Sequence, residues 1–468
     1  MSTHRWLRHL TLGSFLGLIA AITWVAFSGS YVDAQSTGNN SRPIATFSGH
    51  SETLIRFYQQ EDVERIRNLL AFIEILSVSS QFPTVPDLSI QLSGWGQIDA
   101  IDTLNTSQVT GDLSLAMIAY RDPKMRFQAF LGRQYLYQNN KVLHFDGARV
   151  EARTPFGLGA RVFAGWIVRP QFAPSIGYFM TGARVSHRVG HRSEVGITFL
   201  EMLEDGRPAH ELLGIDVMVL PLNWLEISGS ASADLHLLQL RQAGGRIDLT
   251  PWRWIRLTVG YEYSMPSAFI SKNSIFSVFS TNSFHEAYAQ LWFYLLRRRL
   301  SFGIDARLIH LPDEPSEQDL QTNPNATAVS FPTGDQIRLY ARYQYSRRPS
   351  GWVGVTLERL RDQNDGHYGI RLFWQQQWSD FLLAADAQYY NYNREIRGFP
   401  HSFYTSLSGR WNFAPGWALT GSLQFTLNPF VQQSWLGLLK LSYQFYAEIP
   451  ARPSVTKAAT VKRGGKKP

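Results

Sequence analysis

The sequence predicts an all-β fold, a closed antiparallel up-and-down barrel that crosses a membrane with its strands. Two observations carry this prediction. Apolar and polar side chains alternate in successive segments from about residue 86 to residue 446, and the connections between these segments are alternately very short and longer. A period of two places one set of side chains on each face of a strand. About 9 to 11 tilted residues are enough to cross a bilayer core.

The first element is a signal peptide over residues 1–34. Arg5 and Arg8 supply its positive region, residues 15–27 its apolar region, and residues 32–34 a small-residue cleavage site before Gln35. The chain has no cysteine, which excludes a lipid-anchored N-terminus and any disulfide. We therefore expect an exported protein, located in the outer membrane.

The segment 35–83 is predicted to precede the barrel. Within it, residues near 60–78 place apolar side chains at helical spacing and polar ones between them, which predicts one amphipathic helix. The apolar members are Val63, Ile66, Leu69, Leu70, Ile73 and Leu76. Three placements stay open for this helix: a plug inside the lumen, packing on the periplasmic rim, or binding of a periplasmic partner.

The barrel itself is predicted over residues 84–447 with about 20 strands, and 18 or 22 strands are the alternatives. Residues 300–308 show the pattern clearly, with Asp305 and Arg307 on one face. The apolar face there consists of Leu300, Phe302, Ile304, Ala306 and Leu308. A large soluble β-sandwich would also alternate, but the signal peptide and the pattern of connections favour the membrane barrel.

One strand shows a shift of phase. Leu143 and Phe145 alternate in one phase, whereas Ala148 and Val150 alternate in the other. A β-bulge at Gly147 would return all four side chains to the lipid-facing side.

The short connections, which contain Pro and Gly, are predicted to lie on the periplasmic side and the long ones outside. Tryptophans cluster near the short turns, as in an aromatic girdle at the headgroup level. The predicted girdle residues are Trp224, Trp252, Trp254, Trp352, Trp378, Trp411 and Trp417.

The polar face of the strands is rich in arginine. The residues predicted to carry charge into the lumen are Arg126, Arg149, Arg161, Arg184, Arg256, Arg307, Arg338, Arg342, Arg371 and Arg410. Arginine pairs with carboxylates in a fixed bidentate geometry, so one interpretation is a lattice of ion pairs that stiffens the wall. The other is a positive lumen that favours anions, because rings of arginine attract anions in pores.

The residues 448–468 form a basic tail, predicted to be periplasmic, and this tail contributes most of the net charge of +8. It is interpreted as a solvated tail, with contact to an anionic polymer as the alternative. Nucleic-acid binding is not expected, because no nucleic-acid motif accompanies the charge.

An enzyme is not expected, and neither is a metal or another cofactor. The sequence has no Gly-x-Ser-x-Gly, no His-Glu-x-x-His and no glycine-rich phosphate loop. His144 and Asp146 share one strand face, but two such residues do not make a site.

Two short segments carry a family resemblance. Residues 130–134 (FLGRQ) and 145–150 (FDGARV) resemble a strand-loop-strand element of porin-like barrels of the alginate-export type. The resemblance implies a wide, arginine-lined channel of about 18 strands that passes an anionic polysaccharide or small anions.

We therefore expect a porin-like outer-membrane channel for hydrophilic, anionic solutes or for an exported polysaccharide. The alternative is a non-conducting barrel that anchors a periplasmic or surface complex. Expected partners are outer-membrane lipids and the barrel-assembly machinery, which recognises an alternating aromatic strand end such as Leu441, Tyr443 and Phe445.

Overall fold

The structure, a computed structural model, describes residues 43–449 apart from 62–65, 83–84, 86, 102–108, 139–140, 169–177, 191, 237, 266–282, 311–333, 362–365 and 430–432. The signal peptide 1–34 and nearly all of the basic tail 448–468 therefore lie outside the described residues, and their assignments stay predictions. Among the described residues, no helix is long and apolar enough to cross a membrane.

The described part of the chain is a single sheet of 22 strands. The strands are β1 Ala45–Glu61, β2 Ile66–Phe82, β3 Leu88–Ile101, β4 Val109–Arg121, β5 Phe127–Gln138, β6 Lys141–Arg153, β7 Leu158–Ile167, β8 Tyr178–Val189, β9 Ser193–Glu204, β10 Arg207–Leu222, β11 Leu225–Asp234, β12 Gln239–Trp252, β13 Ile255–Ser264, β14 Phe284–Leu295, β15 Leu300–His310, β16 Gly334–Arg347, β17 Ser350–Arg361, β18 Gly366–Gln377, β19 Phe381–Ile396, β20 Phe399–Ala414, β21 Trp417–Leu427 and β22 Gln433–Ile449.

The sheet closes on itself. Every strand pairs antiparallel with its neighbours in sequence, and β1 pairs with β22 from Ala45–Ile449 to Glu61–Gln433. This seam also carries an ion pair, with Lys440 Nζ 2.9 Å from Glu52 Oε1. Closure removes the open edges that a sheet cannot leave unpaired in lipid. The fold is therefore an all-β up-and-down barrel, as the alternating pattern predicts.

The number of strands and the N-terminal helix require correction. The barrel has 22 strands, which was an alternative, and not 20. The difference is the pair β1 and β2, which lies in the segment 35–83 that was predicted to precede the barrel. Residues 66–78 belong to β2 and are not a helix. The helical spacing misled because apolar side chains lie on both faces of β2: Leu69 and Ala71 are buried on one face, and Phe72 is exposed on the other.

The even number of strands brings both ends of the barrel to the same rim. We call this rim the terminal end, and it contains the tight turns between β4 and β5, β6 and β7, and every second pair thereafter. The opposite rim, the loop end, contains the long connections between β13 and β14 and between β15 and β16, and also some tight turns such as Asp205–Gly206 and Arg397–Gly398.

The predicted bulge at Gly147 is wrong. The pairing of β6 with β5 and with β7 runs through Gly147 without a shift of register. Leu143 and Phe145 consequently point to the inner face of the sheet, where both are buried, while Val150 points outwards and is exposed. The phase shift in the sequence is therefore a real change of environment along one strand.

Candidate functional site

The outer face of the barrel is apolar. Ile304 and Leu339 are directly opposite each other on β15 and β16, and 43% and 44% of their surface is exposed. Large exposed apolar side chains in the same phase continue on the neighbouring strand, as with Val353 and Leu357 on β17. A continuous exposed belt of this kind is unfavourable in water and favourable against lipid acyl chains.

The inner face carries paired charges. Asp305 and Arg307 alternate with the apolar residues of β15. Asp305 is buried, and the guanidinium of Arg307 contacts Asp305 at 3.2 Å and Glu286 of β14 at 3.0 Å. Arg338 of β16 contacts Glu358 of β17 at 3.2 Å. Within each of these strands, the charged and the apolar residues alternate. A closed sheet with an apolar exterior and a polar, charged interior spans a bilayer.

The chain is a membrane-spanning β-barrel.

Most of the predicted lumen arginines belong to a lattice of ion pairs on the inner wall. Arg184 contacts both Glu194 at 3.1 Å and Asp216 at 2.5 Å, and Arg371 contacts Asp386 at 2.6 Å. The others with a carboxylate partner are Arg149, Arg161, Arg256, Arg307 and Arg338. The sequence did not single out Asp248 and Glu286 as members of this lattice. The cross-strand register, in which Asp248 lies opposite Thr258, is what brings such partners together.

Three predicted lumen arginines have other surroundings. Arg126 lies in the exposed turn before β5 and not on a strand. Arg410 bonds to Asn412 at 3.1 Å, and the guanidinium of Arg342 lies 3.6 Å from the centre of the Trp352 ring. Among the described residues, these three arginines have no carboxylate within ion-pair distance.

The predicted girdle tryptophans lie at the terminal end of the strands. Trp252 and Trp254 stack on each other, and Trp254 also stacks on Phe293 of the outer face. Trp417 stacks on Tyr443 at 4.2 Å, while Trp224, Trp378 and Trp411 are exposed. Trp352 is a correction: it lies in the same phase as Glu358 and contacts Arg342, so it belongs to the inner wall. A tryptophan beside a turn can point either way, since the period of two decides its face.

Two cavities open on the inner wall. One of about 360 Å³ is lined by β12 to β15, including Arg246, Asp248, Tyr288, Trp292 and Arg307. The other, of about 550 Å³, extends from β7 to β14. Its polar side chains are charged groups, hydroxyls and amides, and Val217 and Met218 also line it. The polar members include Arg161, Arg184, Asp216, Ser228, Ser230, Gln242, Arg246, Glu262 and Tyr288, with Tyr137 and Gln138 of β5.

His144 and Asp146 do not form a joint site. The His144 ring lies 3.0 Å from the carbonyl oxygen of Ser114 and stacks on Tyr135, whereas Asp146 accepts two hydrogen bonds from Arg133, at 2.8 Å each. In the described part of the chain, no group of three or more potential ligands could hold a metal ion.

Comparison with known proteins gives structural likeness only. No family model and no curated protein matches the chain. Among solved structures, the chain is similar to the outer membrane protein OpdK of Pseudomonas aeruginosa, with 11% identity, a TM-score of 0.39 and coverage of 86% of this chain and 98% of that one. For OccK8 (OprE) of the same organism the values are 9%, 0.44, 86% and 98%. For OccAB1 of Acinetobacter baumannii they are 9%, 0.42, 88% and 100%.

Proposed function

We propose that this barrel is a porin-like channel that passes small hydrophilic solutes across the outer membrane. The observation that carries the proposal is the two-sided wall, which is apolar outside and covered inside by paired charges and hydroxyls. Twenty-two strands enclose a lumen too wide for wall side chains alone to fill. A polar lumen of this width holds water, and water-filled barrels conduct ions and small solutes.

We further propose a weak preference for anions. The sequence suggested a positive lumen that favours anions, but ion pairs neutralise most of the predicted lumen arginines, so few positive charges act on a passing ion. Among the predicted lumen arginines that lie on strands, Arg342 and Arg410 contribute uncompensated positive charge, because the described residues place no carboxylate within ion-pair distance of either. Fixed positive charge in a space with low-dielectric walls raises the local anion concentration.

Planar bilayer recordings of the purified protein test both statements. We expect stepwise ion conductance and, across a salt gradient, a reversal potential displaced slightly towards that of the anion. A protein that inserts but does not conduct would contradict the channel and favour the alternative, a barrel that anchors a complex. A cation-selective channel would contradict the anion preference alone.

A further inference from the structure

The hairpin formed by β5 and β6 leaves the barrel wall. β5 pairs with β4 over six residue pairs, from Arg121–Gln128 to Ala116–Arg133, and the pairing ends there. β5 continues to Gln138 and stays paired with β6, while β4 continues from Leu115 to Val109 paired with β3. The parts of β4 and β5 nearer the loop end are therefore no longer paired with each other. We call residues 133–138 and 142–146 the inserted hairpin.

Hydrogen bonds show where this hairpin lies. Gln138 donates to the Thr198 hydroxyl at 2.6 Å and accepts from Arg161 at 3.1 Å. Arg161 and Thr198 lie in the pairing row that begins at Gln128 and continues through Glu151. Gln138 is ten residues from Gln128, which is about 33 Å along an extended strand. These contacts are possible because the hairpin folds back over the inner wall of the barrel.

A row of glycines permits the fold. Gly132, Gly147 and Gly165 lie directly opposite one another on β5, β6 and β7. Gly132 has a φ of 114°, a conformation open to glycine and strained for other residues. A Cβ added to Gly147 would collide with the carbonyl oxygen of Ala164, and one added to Gly165 would collide with that of Asp146. The backbones approach too closely at this row for any side chain.

Apolar packing holds one face of the hairpin on the wall. Leu136, Leu143 and Phe145 form a buried cluster with side chains from the inner face of β7 to β10, and Phe145 is fully buried. The wall members are Phe163, Met180, Leu200 and Leu212. Without the hairpin, these apolar side chains of the wall would be exposed to the lumen, which is unfavourable in water. The hairpin covers them, and this explains why the inner wall is apolar here.

Polar contacts hold the opposite face. Arg133 donates to the carbonyl oxygen of Leu113 at 2.7 Å and contacts Asp112 at 3.2 Å, both on β4. The same guanidinium binds Asp146 within the hairpin at 2.8 Å. His144 lies 3.0 Å from the Ser114 carbonyl oxygen. The hairpin is thus fixed between the inner wall of β7 to β10 on one side and β4 on the other.

We propose that the inserted hairpin is the constriction of the channel and selects solutes by size. This proposal rests on the proposed function, because a constriction requires a conducting lumen. Tyr137, which is 64% exposed, and Gln138 line the cavity of about 550 Å³ together with Arg161, Arg184 and Asp216 of the wall. These charges are compensated by ion pairs, while hydroxyls and amides offer both donors and acceptors. The site therefore suits small uncharged polyhydroxylated solutes.

The position of the hairpin is tested by cross-linking, for which the cysteine-free chain is a clean background. The double variant Gln138→Cys with Thr198→Cys is expected to be joined by a short thiol–thiol cross-linking reagent in the folded barrel, because the native side chains are within hydrogen-bond distance. Tyr137→Cys with Thr198→Cys is the matched control, because Tyr137 points to the other face of β5, and it is expected to cross-link much less. Absence of the cross-link in the first variant would overturn the insertion.

The role of the hairpin is tested by Tyr137→Ala, compared with Tyr343→Ala on the lipid-facing side. We expect Tyr137→Ala to raise single-channel conductance roughly 1.5-fold and to speed the entry of disaccharides into proteoliposomes relative to monosaccharides. Tyr343→Ala should change neither. A conducting wild type with equal behaviour of both variants would overturn the constriction and leave the channel standing. A wild type that neither conducts nor admits sugars would overturn the proposed function itself.

Discussion

Arg338 and Arg342 occupy the same face of β16 and have different surroundings. Arg338 neutralises Glu358, which also lies near His367 and accepts a hydrogen bond from Gln336. Arg342 lies on the ring of Trp352, where the contact is of the cation–π type. The sequence could predict that both point into the lumen, since the period of two is clear in this strand. It could not predict which one is neutralised, because the partner lies on the next strand.

These surroundings predict different effects of substitution. Arg338→Ser leaves the Glu358 carboxylate with fewer partners in a poorly exposed position, and we expect a loss of about 1.5–3 kcal/mol in the free energy of unfolding. Arg342→Ser removes a charge without leaving a carboxylate behind, so it should reduce the anion preference with little loss of stability. Heat-modifiability on gels and reversal potentials measure the two effects. Equal destabilisation by both variants would contradict the conclusion that Arg338, and not Arg342, is paired with a carboxylate.

At the scale of elements, alternation identified the strands wherever one face was polar. It failed at β2, because apolar residues lie on both faces of that strand, and at β6, because Leu143 and Phe145 pack inside the lumen. The cause is visible at β6, which packs against protein on its inner side and therefore does not show the lipid–water alternation of a simple barrel wall. The residues 130–134 and 145–150 carry the family resemblance. They contain Gly132 and Gly147, the position at which the inserted hairpin folds inwards.

The two faces of β20 provide a test within one strand. Leu407 is 53% exposed on the outer face, and its neighbour Ser406 faces inward, opposite Asp386. Leu407→Arg places a charge near the middle of the bilayer, at an expected cost of about 2–4 kcal/mol. Ser406→Arg gains a carboxylate neighbour and should be tolerated. Refolding yields in detergent as a function of urea measure the difference. Similar losses for both variants would contradict the assignment of the faces, and a larger loss for Ser406→Arg would reverse it.

At the scale of the whole molecule, closure and antiparallel order followed from the sequence, because short and long connections alternate along it. The number of strands did not, since β1 and β2 lack the pattern that defines the others. The path of the inserted hairpin was also beyond sequence reasoning, because contacts such as that of Gln138 on β5 with Thr198 on β9 join strands that have three other strands between them. The signal peptide and the tail remain predictions.

Orientation in the membrane is predicted from the connections, with the terminal end in the periplasm. Glu395→Cys lies in an exposed position near the tight turn at the loop end, and Ser379→Cys is exposed in a turn at the terminal end. A bulky maleimide that cannot pass the pore should label Glu395→Cys on intact cells and Ser379→Cys only after the outer membrane is permeabilised. Labelling of Ser379→Cys but not Glu395→Cys on intact cells would show the opposite orientation, with the terminal end outside.

The seam between β1 and β22 has a consequence for assembly. The barrel closes only when β1 pairs with β22, so both strands are open edges until the two ends of the sheet meet. A slip of the closing strands by one residue would turn apolar side chains into the lumen and charges towards lipid. In the observed register Glu52 lies opposite Ser442, and its carboxylate contacts Lys440 on the same face of the seam. A slip by one residue would place the two charges on opposite faces of the sheet, so their ion pair opposes that slip when the sheet closes into a barrel.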